Sequence, residues 1–359
     1  MLTRKLTSTT FIYIVVLFTL SHQDHANGTL HGSTKKMVHE ANKNGPYLGL
    51  VIPNLFEMNP LLNNPHYKPS KLIIDYAGRR FRFGKIYKKP VILVMSGMGL
   101  VNAAVATQLL LSLFEIEGVI HYGIAGNANP NLNIGDVTIA EYWSHSAMWN
   151  WQRYGDGPEN ALPFEGEGGF TRDIGYLKFG AYSSSSEEET KDDNNLLNNV
   201  WYQAEEVYPV DGTPEQTQQA FWIPVDSNYF SLSKKLENLK LEGCINATTC
   251  LSTPPKVTTV QRGTSANIYL DNAAYRGFLY NKFNVSPVEM ESAGVSLICY
   301  QQKVPHITFR ALSDLAGGGS ASSNEADTFS GLSVENSVIV MVEFVKLLAG
   351  YNRKLLSYV

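Results

Sequence analysis

Charge is sparse in this sequence. Asp, Glu, Lys and Arg make up 17% of its 359 residues and leave a formal net charge of -4. No basic stripe interleaved with aromatics occurs, so the electrostatic footprint of a nucleic-acid binder is missing. Cysteine is scarce as well, at three residues with no CxxC pair, and the eight histidines fall nowhere in an HExxH pattern. That argues against a built metal site. No GxSxG is present, which removes the strained elbow that exposes a nucleophilic serine. Internal repeats are absent. The apolar run at residues 11–20 is too short to span a bilayer.

Apolar residues account for 44% of the chain and glycines number 29. That suits an α/β protein with tight loops and a sizeable core. Arg4 and Lys5 stand before the apolar run at 11–20, and polar Ser21-His22-Gln23-Asp24 follows it. This layout predicts a secretory signal peptide over residues 1–24, with an N-terminal anchor helix as the alternative. Asn27-Gly28-Thr29 and Asn246-Ala247-Thr248 are glycosylation sequons, and Asn284-Val285-Ser286 is a poorer one because Pro287 follows. Cys244 and Cys250 flank the second sequon in a polar stretch and could close a small disulfide. Cys299 lies in an apolar run and reads as inert. Together these features predict a secreted or vacuolar glycoprotein.

Residues 25–46 are polar and read as a flexible lead-in. Residues 47–52 form an unbroken apolar run, expected of a central strand. It leads into a loop carrying Glu57. Residues 72–74 and 81–86 read as a hairpin around Ala77-Gly78-Arg79, and 91–95 as another buried strand. Ser96-Gly97-Met98-Gly99 then opens a helix at 101–114. Glycine there allows backbone N–H groups to approach a ligand, although a plain tight turn explains it equally well. A strand at 118–122 is followed by glycine-rich Gly123-Ile124-Ala125-Gly126-Asn127, read as a strand-end loop, and another strand runs to Trp143. This alternation predicts a sheet with helices on its faces. Residues at about 155–225 break the pattern, with Glu187-Glu188-Glu189 after a serine run, and read as a surface insert. A polar-faced helix from residue 231 and a strand at 257–260 resume it.

The most informative stretch is 285–319. Val288-Glu289-Met290-Glu291 precedes an apolar helix at 293–299, where negative charge suits the N-terminus. A strand at 307–312 carries Arg310 and stops at Ser313-Asp314. Ligands of open α/β sheets sit beyond the carboxyl ends of strands, so these groups can face one crevice. A purely structural account is also open, with Asp314 capping a turn and Glu291 solvating a helix end. Glu57, Glu289, Glu291 and Asp314 with Arg310 form a set able to do acid–base work on a glycosidic bond.

In this order, the Glu57 segment, Ser96-Gly97-Met98-Gly99, Gly123-Ile124-Ala125-Gly126, Ile134-Gly135-Asp136-Val137, Glu289-Met290-Glu291 and Arg310-Ala311-Leu312-Ser313-Asp314 resemble the nucleoside phosphorylase superfamily. Within it the pattern is similar to methylthioadenosine/S-adenosylhomocysteine nucleosidases. The leader, insert and cysteine pair look like the plant branch of bark and vegetative storage proteins. The resemblance spans residues 47–145 and 230–348. It implies one domain over 47–350, a three-layer α/β sandwich with a central mixed β-sheet, and a homodimer to which the aromatic segment 142–154 contributes. It further implies a purine nucleoside as ligand and no cofactor.

Carried over by position, the resemblance makes Glu57 the activator of the attacking water, with Arg310 beside it. Glu291 grips the ribose hydroxyls, Met290 packs on the sugar, and Glu289 is a further substrate-binding residue. Asp314 protonates purine N7, while Gly97, Met98 and Gly123 border the substrate. Two departures from the pattern stand out. Ile124 replaces a serine of the nucleosidases, and phosphorylases carry Arg and Ser where this chain has His121 and Ile124. A phosphate dianion without its Arg partner is poorly held, so hydrolysis is expected over phosphorolysis. The expected activity is that of a secreted purine-nucleoside N-ribohydrolase. The alternative is a non-catalytic storage glycoprotein on the same fold.

Overall fold

The computed structural model describes residues 30, 32–153, 156, 159–162, 170–178, 199–318 and 326–350. The signal peptide expected over 1–24, the sequon at Asn27 and the acidic run at 187–189 lie outside the described residues.

Helix α1 spans Gly32–Asn42 and buries Val38 and Ala41. This corrects the flexible lead-in for most of its length: Met37, Val38 and Ala41 recur at helical spacing and reach the core despite polar neighbours. Strand β1, Tyr47–Ile52, is buried at all six positions and lies between two parallel partners. Helix α2, Leu55–Leu62, follows at once, capped by the Asn54 side chain. Strands β2, Tyr67–Tyr76, and β3, Arg79–Ile86, form the expected hairpin. Its two turn residues, Ala77 and Gly78, have φ of 48° and 72°, the left-handed pair that matches strand twist. Strand β4, Lys89–Met95, leads through glycines to helix α3, Leu100–Leu113.

Strand β5 runs Ile116–Asn127, five residues beyond the expected end. Strand β6 is Val137–His145. The insert forms β7, Trp149–Trp151, α4, Phe170–Ile174, β8, Tyr176–Lys178, and β9, Asn199–Tyr202, with the three strands in a small sheet of order β7-β9-β8. A ribbon of β10, Glu205–Val207, and β11, Gln218–Ala220, follows. Strand β12, Ile223–Pro224, returns the chain to β6. Helix α5 is Ser227–Ser233, so the helix expected from 231 starts earlier, at its Asp226 cap. Then come β13, Val257–Ser265, α6, Ala273–Phe283, β14, Val285–Glu289, α7, Ser292–Gln301, β15, His306–Leu315, and α8, Ala326–Gly350. Among the described residues no helix is long and apolar enough to cross a membrane.

The central sheet is mixed and has helices on its faces, as the resemblance implied. From β5 it extends through β1, β4, β3 and β2. On the other side it closes, because β5 pairs β15, β15 pairs β6, β6 pairs β13, β13 pairs β14, and β14 returns to β5. Helix α8 packs over β15 and β5, and its buried Val338, Met341, Phe344 and Val345 join the main core. Cys244 and Cys250 form a disulfide around exposed Asn246. The Cys299 thiol is buried, and desolvation pushes its pKa up, which suits an inert packing role.

Candidate active site

Strands β1, β4, β5, β13, β14 and β15 end around one cavity of about 190 Å³, lined by Glu57, Met98, Ile124, Glu289, Met290, Glu291 and Asp314 among others. The first carboxylate comes from a helix rather than the expected loop. Asn54 caps α2: its Oδ1 accepts from the Glu57 N–H at 3.0 Å, and its Nδ2 donates to Glu57 Oε2 at 2.7 Å. This reciprocal pairing three residues apart orients the side chain. The other oxygen, Oε1, accepts from the Ile124 N–H at 2.9 Å.

Arg310 is only 1% exposed and stands behind these groups. Its Nε donates to Ser292 Oγ at 3.1 Å and its Nη1 to the Ile124 carbonyl at 3.1 Å, with Glu57 Oε1 3.8 Å away. Its Nη2 meets Glu289 Oε2, His121 Nε2 and, at 3.3 Å, Glu291 Oε2. His121, Glu289 and Glu291 offer ligand atoms within 4.8 Å of one another, a spacing suited to a cation. The guanidinium nitrogen already stands among them. A permanent organic cation therefore supplies the charge a metal would bring.

Glu291 sits at the N-terminal edge of α7, where its Oε1 accepts from the Gly99 N–H at 2.9 Å. Glu289 is occupied differently. It accepts from the Glu291 N–H at 2.9 Å, the Ser292 N–H at 3.0 Å and the Ser265 hydroxyl. Glu289 lines the cavity while its lone pairs also serve the helix end and Arg310. Asp314, 9% exposed, accepts from Ser313 Oγ at 2.6 Å. The strand does not stop before it: β15 continues to Leu315 through a register shift between Leu312 and Asp314. That irregularity turns the carboxyl into the cavity lining.

Burial is the first cause of the pKa shifts here. Glu57 and Glu291 are each pushed up to about 7 by desolvation, opposed by Arg310 and by the backbone N–H groups of Ile124 and Gly99. His121 is held well below the usual imidazole range by burial and by Arg310.

Met98 and Met290 border the cavity as expected, Met98 at the exposed rim. Gly97 and Gly123 do not line it. Gly97 adopts φ 85° in the turn before α3. A Cβ at Gly123 would stand 2.6 Å from Arg310 Nη1, so this glycine makes room for the charged pair rather than for substrate. Asn54, Ser292 and Asn267, which accepts from the Leu100 N–H at 2.8 Å, were not anticipated. Only Asn54 has a local signal, its capping distance from Glu57.

A mixed sheet whose strand ends gather buried carboxylates around one cavity defines an α/β protein with a small-molecule site. Residues 47–346 match the model of the phosphorylase superfamily, and the chain belongs to that superfamily. It is 27% identical over 280 residues to bark storage protein A of Populus deltoides, covering 77% of this chain and 82% of that one. It is also 27% identical over 271 residues to a 5'-methylthioadenosine/S-adenosylhomocysteine nucleosidase of Psychromonas ingrahamii, covering 75% and 86%. Among solved structures, a mutant Helicobacter pylori nucleosidase with 5'-methylthioadenosine in its active site matches with a TM-score of 0.56 at 18% identity, over 84% of this chain and 99% of that one. Futalosine hydrolase of the same bacterium matches at 0.55 and 18%, over 87% and 99%.

Proposed function

We propose that the protein hydrolyses the N-glycosidic bond of a purine nucleoside. The observation that carries this reading is the convergence of Glu57, Glu291 and Asp314, from three separate elements, on one cavity with Arg310 behind it. Glu57 takes a proton from a water molecule, whose oxygen bonds to the anomeric carbon. Asp314 gives a proton to N7 as the carbon–N9 bond breaks, so the base leaves neutral. Glu291 holds the ribose hydroxyls while positive charge builds on the sugar, and Met290 packs against it. A base whose pKa lies near 7 is matched to neutral operation.

Water is favoured over phosphate as the nucleophile. The lining of the cavity includes no Lys or Arg among the described residues, and Ile124 offers no side-chain polar group there. A dianion would lack a charge-assisted partner. The test is release of free base from adenosine, methylthioadenosine and an N6-substituted adenosine, with and without phosphate. Phosphate-independent release supports the reading, and phosphate-dependent release makes the protein a phosphorylase.

The likeness to bark storage protein A favours a second reading, a storage glycoprotein without catalysis. Inactivity on every purine riboside would select it. Both readings include export, with a signal at 1–24, a glycan on Asn246 and secreted or vacuolar residence. N-terminal sequencing and mass analysis of the product check these points. A homodimer is also proposed. Leu55, Phe56, Val101 and Val105 present exposed apolar side chains towards the starts of α2 and α3, and sedimentation at micromolar concentration checks it.

A further inference from the structure

The Nη2 atom of Arg310 carries two N–H groups but faces three acceptors: His121 Nε2, Glu289 Oε2 and Glu291 Oε2. The first two are close, and Glu291 Oε2 stands off at 3.3 Å. His121 and Glu289 thus take the two hydrogens, leaving Glu291 as an ion-pair neighbour.

The imidazole is fixed from its other side. Nδ1 lies 2.7 Å from the Val51 carbonyl oxygen, which can only accept. Nδ1 therefore carries the proton, and Nε2 turns its lone pair to the guanidinium. The ring is fully buried, and in the sheet His121 pairs with Val51 on β1 and Thr308 on β15. It has no freedom to swing away.

We propose that His121 is a positioning residue that keeps Arg310 from clamping Glu291, so that the Glu291 carboxylate stays available to the sugar hydroxyls. This rests on the reading of Glu291 as the ribose-holding group. Oε1 of Glu291 already accepts from the Gly99 N–H at 2.9 Å, which makes Oε2 the oxygen with capacity to spare. Glu289 cannot absorb another donor easily, since it already receives N–H groups from Glu291 and Ser292 and the Ser265 hydroxyl. If the acceptor at 121 is removed, the freed N–H of Arg310 turns to Glu291 Oε2. The sugar then competes with a guanidinium for the same lone pairs.

The test reads sugar recognition separately from cleavage. A 9-deazaadenosine, whose base is joined through carbon and cannot be hydrolysed, is titrated calorimetrically beside its 2',3'-dideoxy counterpart. Hydrogen bonds from two hydroxyls to a carboxylate predict that wild type favours the hydroxylated ligand by about 100-fold. His121→Phe keeps the shape without the acceptor, and its preference should fall to about threefold. His121→Gln returns a carbonyl oxygen near the Nε2 position and should restore most of the preference. Thermal melting of each variant separates folding from recognition. A fully folded His121→Phe protein with undiminished preference overturns the proposal, as does equal weakening of both ligands. Wild type that binds the pair with no preference overturns it too, together with the ribose-holding role of Glu291. Wild type that shows the preference but cleaves no riboside would sink the hydrolase reading and leave the inference to be decided by the two variants.

Discussion

An ideal Cβ on Gly123 would stand 2.2 Å from Oε1 of Glu57. That oxygen belongs to the carboxylate assigned to the water, so the two residues cannot both keep their places if a side chain is added at 123. Gly123→Ala is expected to push Glu57 or Arg310 aside while leaving the rest of β5 paired. Misplacing a reacting group by about 1 Å can cost roughly 100-fold in rate. Base release should fall by about that factor, with circular dichroism unchanged.

Glu57 acts as a base only when ionised, and burial places its pKa at about 7. The rate is therefore expected to rise through that pH, dropping about tenfold per unit below it, while the need for a protonated acid at Asp314 limits the alkaline side. Glu291 is raised into the same range, so the apparent midpoint belongs to the pair. Glu57→Gln should lower turnover by about 10²–10⁴ and flatten the acid limb. A pH–rate profile of both proteins checks this. An unaltered acid limb in Glu57→Gln would assign the limb elsewhere.

Asp314→Asn keeps the shape and the Ser313 contact but removes the transferable proton. Turnover should fall by about 10²–10⁴ with little change in KM. Glu291→Gln, by contrast, should raise KM and lower turnover together, because a neutral amide holds hydroxyls and a developing cation less well. Steady-state kinetics on one riboside separates the two patterns. An Asp314→Asn enzyme as fast as wild type would refute the assignment of the acid.

Acid should destabilise the fold through His306. Its ring is 3% exposed, and burial depresses its pKa from 6.5 to about 4. In the unfolded chain it gains a proton near pH 6.5, while in the folded chain it stays neutral until about 4. The stabilising difference is complete above 6.5 and is lost as pH falls towards 4. About 2 kcal/mol should disappear between pH 7 and pH 5. Glu57 and Glu291 take up protons in the folded state over the same range and oppose this loss. The His306 share is therefore read by urea unfolding, as the difference between wild type and His306→Gln in their change from pH 7 to pH 5.

Some of this was legible in the sequence, and the failures share a cause. Strand β1 announces itself by an unbroken apolar run, and the Ala77-Gly78 hairpin by its turn residues. The end of β5 was misread because its glycines looked like a loop. They are there for close approach: Gly123 to Glu57 and Gly126 to Ala316. Helix α6 had no legible signal, since its apolar residues show little periodicity. The site residues were named from their motifs, but how they pair was not readable. Glu289 meeting Ser265 and His121 turning to Arg310 depend on neighbours far away in sequence. No local pattern encodes such contacts.

The closed circuit of β5, β15, β6, β13 and β14 also bears on how the protein comes into being. Glu57 leaves the ribosome more than two hundred residues before Arg310, the cation it faces. Until β15 emerges, β5 lacks one flanking strand and β6 another, and the carboxylates have no counter-charge. The candidate site is therefore all-or-none with respect to translation, and a chain halted before residue 306 has no partial form of it. Contacts this distant in sequence delay folding. The site is completed only once nearly the whole polypeptide has been made.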